Sequence, residues 1–381
     1  MTSAHLLRKA TDRISKITSG GRGSHVAAVV LQLAMPHFRQ QFLDCLREQM
    51  AKSNELIFIV GDEHFGGGVT TAVDSPLIRR SGHNRFLAGR RLAWQPGVVR
   101  PALLADTAVV ELSPRILSTW FVLIVRSLLR RRTLAWGHAW PRAGQHSRSD
   151  RLRRLMRNLS DGLIVYTHQD RDGLLANGYK KRIYVAPNAV ARSTHQQAIA
   201  RQSKRSSFVW IGRLAEAKKP QLAIDAFRLA LPELRDSTQL FVVGDGPERV
   251  SCIASARDLV SSGRIRIFGF VDEQSLAQLL GSAIASVASG YVGLNATQSI
   301  GYGCPIVYPS GEPHSPEVAA LNESNSVSFP RDDPAALART MIEVERAQDR
   351  FDREAISRHV RETYSADRMA SHFLGAVRDG A

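Results

Sequence analysis

"FVWIGRLAEAKKPQLAIDAFRLAL" occupies Phe208–Leu231. An unbroken apolar run, a glycine-bearing polar turn and a helix follow one another within it. A strand apolar on every residue suits a parallel sheet covered on both faces. The same unit recurs downstream in "LFVVGDG", "IRIFGFV", "SAIASVASG", "CPIVYPS" and "SVSFP". Upstream it recurs in "HVAAVVLQLAM" (25–35), "ELIFIVG" (55–61), "TAVVEL" (107–112), "TLAWGH" (133–138), "DGLIVYT" (161–167) and "RIYVAPN" (182–188). The polar, aperiodic stretch 191–207 interrupts the alternation and reads as a linker.

The reading is therefore an α/β protein of two facing Rossmann-like doubly wound domains. A basic segment 1–24 precedes an N-terminal domain, 25–190. After the linker a C-terminal domain spans 208–360, and a last helical segment, 361–381, is expected to return to the N-terminal domain. Ligands are expected at the carboxyl ends of the strands and in the cleft between the two sheets.

Composition narrows the classes. The chain has 381 residues, 44% of them hydrophobic, and 51 Lys+Arg against 35 Asp+Glu leave a charge of +16. A surplus of that size attracts anions: nucleic acid, acidic membrane or phosphorylated substrate. Its bland alternative is a generally basic surface. Cys45, Cys252 and Cys304 are far apart and odd in number, which argues against disulfides and zinc and suits a reducing cytoplasm. The first residues lack the apolar core of a signal peptide. The most apolar stretch, Ile116–Val125, is far shorter than the about 20 residues of a membrane span.

Arg213 and Lys218 follow the strand that begins the quoted stretch. Arg by its planar fork and Lys as a point charge suit a diphosphate, although a basic pair after a strand is often solvated surface. Gly244 ends another strand in a tight turn, and Phe268 and Gly269 end a third, where backbone groups could read a base edge. Gly290 and Gly293 precede "LNATQS", and amides at a helix start form an anion site.

"GRLAEAKKPQLAIDAF", "VVGDGP", "IFGFVDEQSLAQLL" and "GLNATQSIGYGCPIV", in this order and spacing, resemble the group-1, family-4 glycosyltransferases of the GT-B fold from Phe208 to about Glu343. A looser resemblance in "MPHFRQQF", "WGHAW" and 161–190 extends to the N-terminal half. The resemblance implies hexosyl transfer with retention from a nucleoside-diphosphate sugar, a co-substrate held by the second domain, to a hydroxyl acceptor held by the first. By that resemblance Gly212, Arg213, Lys218, Gly244, Phe268, Gly290, Gly293, Leu294, Gln298 and Glu317 are donor-binding candidates. His138 looks like the cleft histidine that touches the transferred sugar; the plainer alternative is a structural histidine after a strand. His138, Arg213 and Lys218 form the candidate catalytic set.

Two positions depart from the family pattern. Gly290 and Gln298 stand where two glutamates eight apart are usual. Gln298 keeps an acceptor oxygen without charge, whereas Gly290 has no side chain at all. His314 and Glu317 either replace what Gly290 lacks or cap the following helix. On the acceptor side, Arg39 is placed to meet donor phosphate or an anionic acceptor. Gly66 and Gly67 read either as a mobile acceptor loop or as plain surface.

Retaining glycosidases hold a carboxylate nucleophile about 5 Å from the acid, and none can be nominated here. The family's account is front-face displacement. No acidic pair sits at the strand ends, so neither a divalent metal nor any other cofactor is expected. The runs Arg126–Arg132 and Arg142–Asn158 suggest an anionic membrane surface and a carbohydrate or lipid-linked acceptor, hence a protein peripheral on the inner face of the membrane and engaged in cell-surface polysaccharide or glycolipid assembly. Rival readings are a catalytically weak nucleotide-sugar scaffold, a sugar-nucleotide 2-epimerase of the same architecture, and a nucleic-acid binder. Only charge motivates the last, without any recognition motif.

Overall fold

The computed structural model describes residues 27–50, 56–66, 68–141, 144, 147–195 and 205–379. Segment 1–24, Gly67 and most of the expected linker therefore lie outside the described residues. The chain divides into two compact units. One runs to Ala186 and takes in Met369 onward; the other is Pro187–Arg368.

In the first unit the strands are β1 (Ala28–Gln32), β2 (Leu56–Val60), β3 (Ile78–Arg80), β4 (Arg85–Leu87), β5 (Leu92–Trp94), β6 (Thr107–Glu111), β7 (Thr133–Trp136), β8 (Gly162–Val165) and β9 (Arg182–Val185). All but β4 and β5, which pair as a small hairpin, form one parallel sheet in the order β3-β2-β1-β6-β7-β8-β9. Its helices are α1 (Gln40–Gln49), α2 (Val99–Leu104), α3 (Leu117–Leu128), α4 (Arg148–Leu159) and α5 (His168–Ala176). Short β3 and the hairpin were not legible as strands, because neither carries an apolar run.

The continuous apolar strands are buried on both faces, as their sequence requires. Val29, Leu31, Ile57, Ile59 and Val110 pack beneath α3 with Leu123 and Met156. On the opposite face Phe42, Phe58, Trp136 and Phe373 form an aromatic cluster, with Trp136 and Phe373 ring centroids 4.8 Å apart. Phe373 is fully buried. Burying one such ring contributes about 1.5–3 kcal/mol, which accounts for a C-terminal segment that completes the first unit.

The second unit contains β10 (Ser207–Ile211), α6 (Pro220–Ala230), β11 (Gln239–Val243), α7 (Arg249–Ser255), α8 (Arg257–Ser261), β12 (Ile265–Phe268), α9 (Glu273–Ser282) and β13 (Ala283–Val287). There follow α10 (Asn295–Gly301), β14 (Ile306–Ser310), β15 (Ser326–Pro330), α11 (Pro334–Arg346) and α12 (Arg353–Thr363). Its parallel sheet has the order β12-β11-β10-β13-β14-β15. Helix α13 (Ala366–Arg378) begins in this unit and belongs to the first from Met369.

Part of the basic run is internal, which corrects the reading of all of Arg126–Arg132 as a cationic face. Arg126 is fully buried and donates to the carbonyl oxygens of Ala105, Asp106 and Arg132 and to Thr133 Oγ1. Arg131 donates to Leu103 and Leu104 at the end of α2, and Arg132 to Ala376 and Val377 at the end of α13. Cations at helix C-termini satisfy orphan carbonyls and oppose the negative end of the dipole. Arg157 is likewise buried, in a two-pronged pair with Asp150 at 2.9 and 3.1 Å.

Candidate nucleotide-sugar site

In the second sheet the strand order reverses between β10 and β13, and an open α/β sheet takes ligands outside its carboxyl edge at such a reversal. The turns that leave these two strands are stitched together there. Trp210 Nε1 donates to Ser289 Oγ at 2.9 Å, and Ser289 Oγ donates to the Lys219 carbonyl at 2.6 Å. Tyr291 N–H donates to Ala217 O at 2.9 Å, and Lys218 Nζ returns to Tyr291 O at 2.7 Å.

Gly290 makes this closure possible. A Cβ on it would lie 2.7 Å from Ala217 O and 2.9 Å from the Lys218 carbonyl carbon, closer than real contacts allow. This arrangement leaves a larger side chain at 290 no room for its stem, because the backbone of 217–218 occupies that space. Gly290 is buried as a close-approach residue. On the other side of β10, a Cβ on Gly244 would lie 1.9 Å from Gly212 O, so those strand ends also touch through glycine.

Lys218 and Gly293 come together: a Cβ on Gly293 would lie 3.6 Å from Lys218 Nζ and 3.7 Å from Ser315 Oγ. The Gly293 N–H itself donates to Asn295 Oδ1 at 2.9 Å. That differs from the expectation of a leading amide aimed at a ligand, because Asn295 caps the turn first. Arg213 is exposed and makes no hydrogen bond or ion pair with any described residue. Leu294 and Gln298 are half-buried on α10 and its approach, and the Gln298 side chain bonds to no described residue. The Phe268 carbonyl accepts from Arg249 Nη1 at 3.2 Å and the Gly269 carbonyl from Gly244 N–H at 3.1 Å, so these expected base readers are engaged within the fold.

The loop after β14 completes the arrangement. His314 Nδ1 accepts the Val292 N–H at 3.0 Å while Nε2 lies 2.7 Å from Pro309 O, which assigns the proton to Nε2. Burial, with the charge of Lys218 adding to it, holds this imidazole below the ordinary histidine range. Ser315 N–H donates to Val292 O at 3.0 Å. Glu317 is only 4% exposed, and its carboxylate accepts from Ser315 Oγ and Asn188 Nδ2. It orients Ser315 and is too buried to lie open to a ligand. His314 was named from the sequence, but Ser315, Trp210 and Ser289 escaped sequence reasoning, since only tertiary contacts join them to the site; "PHSPE" was the one available signal.

In the first unit His138 stands exposed after β7, with its ring 5.0 Å from that of Tyr166 and its carbonyl accepting from Arg153 Nη1 at 2.6 Å. Arg39 departs from expectation. It is 8% exposed, and its guanidinium lies 5.3–5.9 Å from the rings of Phe38, Phe42, Trp136 and Tyr166. Cation–π contacts on a buried Arg make it part of the packing under α1. Gly66 is exposed in an open loop, and Gly67 is outside the described residues. No cluster of metal-ligating side chains occurs among the described residues.

The family profile described as Glycosyl transferases group 1 matches residues 191–363. This part of the chain is similar to a group-1 glycosyltransferase domain. The group-1 match covers the whole stitched site, and the complete chain has the GT-B fold of such enzymes, two Rossmann-like units. A structure titled lipopolysaccharide outer core galactosyltransferase WaaB, apo form, superposes with a TM-score of 0.65 at 14% identity, over 93% of this chain and 99% of its own. Anabaena Alr3699/HepE in complex with UDP gives 0.63 at 12%, over 93% and 100%. The pneumococcal O-GlcNAc transferase GtfA in complex with UDP and GlcNAc gives 0.65 at 10%, over 94% and 99%. No curated protein matches in sequence.

Proposed function

We propose that the chain moves a hexosyl group from a nucleoside-diphosphate sugar to a hydroxyl acceptor with retention and without a metal ion. The observation that carries this is Lys218: in a domain similar to group 1, at the reversal of the strand order, its ammonium is tied to Tyr291 O at the turn before α10. A departing diphosphate there meets Lys218, with Arg213 as the second cation. The C1–oxygen bond to the diphosphate breaks as the acceptor oxygen bonds to C1 on the same face. The acceptor's proton passes to a diphosphate oxygen, so no enzyme nucleophile is used. The chain's part is to stabilise charge growing on the leaving group. UDP in the HepE and GtfA structures makes a uridine nucleotide the first donor to try.

The outer face of the first unit supports a role at anionic membrane, in cell-surface glycan assembly. Phe121, Ile124 and Leu128 on α3 are 46%, 46% and 70% exposed, and Leu152 and Leu155 on α4 are 54% and 50%. Spacings of three and four set each group along one side of its helix, and α3 packs on α4. Arg130, Arg151 and Arg154 are exposed on or beside these helices. Apolar rows flanked by arginine suit an anionic lipid surface, each cation there contributing on the order of 1 kcal/mol. Among the described residues no helix is long and apolar enough to cross a membrane.

The closed Gly290 turn favours a second reading, a weakly catalytic nucleotide-sugar binder. A melting-temperature panel of UDP-, GDP-, ADP- and dTDP-sugars, followed by donor hydrolysis in the absence of acceptor, separates the two. A transferase is stabilised by one nucleotide and hydrolyses its sugar slowly; stabilisation without hydrolysis leaves the binder, and no stabilisation by any nucleotide refutes both.

A further inference from the structure

The order of the first sheet reverses between β1 and β6, which opens a second crevice at a carboxyl edge. The last residue of β6 is Glu111, a carboxylate in a chain of net charge +16. Its Oε2 accepts the Leu33 N–H at 3.1 Å, just beyond the end of β1, which fixes the side chain across the crevice. Its Oε1 faces His64 Nε2 at 3.5 Å, with Glu111 18% and His64 41% exposed. That gap is too long for a good hydrogen bond.

Both groups are held from behind. The His64 N–H donates to Val69 O at 2.8 Å and its carbonyl accepts from Arg90 Nη2 at 3.2 Å. The His64 ring stands edge-on to Phe65, which packs with Leu33, Ala93 and Ile116. Neighbouring acids are engaged elsewhere: Asp62 with Asn84 N–H and His83, Glu63 with Arg90. Glu111 Oε1 and His64 Nε2 therefore form a fixed acceptor and a ring nitrogen able to donate, side by side and partly open to solvent.

We infer that this pair reads one neutral hydroxyl group of the sugar acceptor. The hydroxyl hydrogen is given to Glu111 Oε1, and its oxygen accepts from His64 Nε2–H. A hydroxyl satisfies both partners at once, a methyl ether leaves the carboxylate unpaired, and a phosphate is repelled by it. The pair binds and orients; it takes no part in the bond exchange. The inference rests on the transferase reading and assigns the acceptor's chemistry to named side chains.

The test uses the full chain with UDP present and, as probes, the methyl glycosides of glucose, galactose, mannose, N-acetylglucosamine and rhamnose, followed by saturation-transfer NMR. At least one glycoside binds, and Glu111→Gln and His64→Ala each weaken it about tenfold or more, the loss expected for a hydrogen bond to a charged group. The UDP-induced melting shift stays unchanged in both variants. Glu111→Gln keeps an acceptor for Leu33 N–H; should it fail to fold, His64→Ala, whose lost side chain holds no backbone amide, still decides. Failure of every glycoside to bind the wild-type chain, or wild-type affinity in the variants, overturns the inference. Absence of any nucleotide-induced shift instead refutes the transferase reading, leaving the glycoside measurement to judge the crevice alone.

Discussion

Lys218 Nζ donates to the Tyr291 carbonyl at 2.7 Å and approaches Gly293, so a lysine from the turn after β10 is held against the turn that starts α10. Its charge then meets the positive end of a helix, an arrangement relieved by a bound anion. Lys218→Ala is expected to lower transfer about 100- to 1000-fold, the usual cost of losing one preorganised contact to developing charge. Arg213→Ala, at an exposed side chain, should act similarly on turnover while changing stability by less than about 0.5 kcal/mol. Steady-state kinetics beside thermal melts check both. Near-normal turnover in the two variants removes these cations from the mechanism.

Restoring the acid usual in the family at position 290 should harm the protein. Gly290→Glu drives its Cβ into the backbone of Ala217 and Lys218. Overpacking of this kind costs about 1–3 kcal/mol, and the displaced Lys218 weakens nucleotide binding as well. A melt and a UDP titration measure the two effects; a variant as stable as wild type with tighter binding contradicts the packing argument.

The His314 imidazole is held below its ordinary range by burial, and Nδ1 must stay unprotonated to accept from Val292 N–H. The unfolded chain gains a proton near the ordinary value of about 6.5 and the folded chain only below it. Below that value the unfolded state binds more protons, so stability and the 291–293 turn are lost as pH falls, with no contribution above it. Nucleotide affinity should decline as pH falls below about 6.5. His314→Asn, which keeps an acceptor for Val292 N–H, should flatten that decline. Titrations of UDP across this range provide the check.

Arg157 and Asp150 are 4% and 2% exposed and paired. Arg157→Met leaves the buried Asp150 carboxylate with only the longer, mostly exposed contact to Arg154 at 3.8 Å, and should cost at most about 3–5 kcal/mol. Adding Asp150→Leu should recover most of the loss. Chemical denaturation of the three chains tests this, and a double variant no better than the single one excludes charge burial as the cause.

The exposed rows on α3 and α4 predict sedimentation with phosphatidylglycerol vesicles at low salt. Ile124→Glu with Leu128→Glu should abolish it, while leaving the melting temperature close to wild type because both side chains face solvent. Failure of the wild-type chain to bind at low salt ends the membrane proposal.

The amino-acid order alone determined the two parallel sheets, because uninterrupted apolar runs such as Ala28–Leu31 and Phe208–Ile211 can be buried only between helix layers. It also determined where ligand-binding turns fall, since Gly212, Gly244 and Gly290 each follow a strand. What those glycines do was decided by the third dimension. Gly244 and Gly290 admit backbone from strands far away in sequence, and no local pattern encodes a contact across 73 positions such as Lys218 to Tyr291. The fate of the arginines was settled there too. Charge is visible in a sequence, but whether Arg126 meets water or the carbonyl ends of distant segments depends on which chain ends arrive beside it.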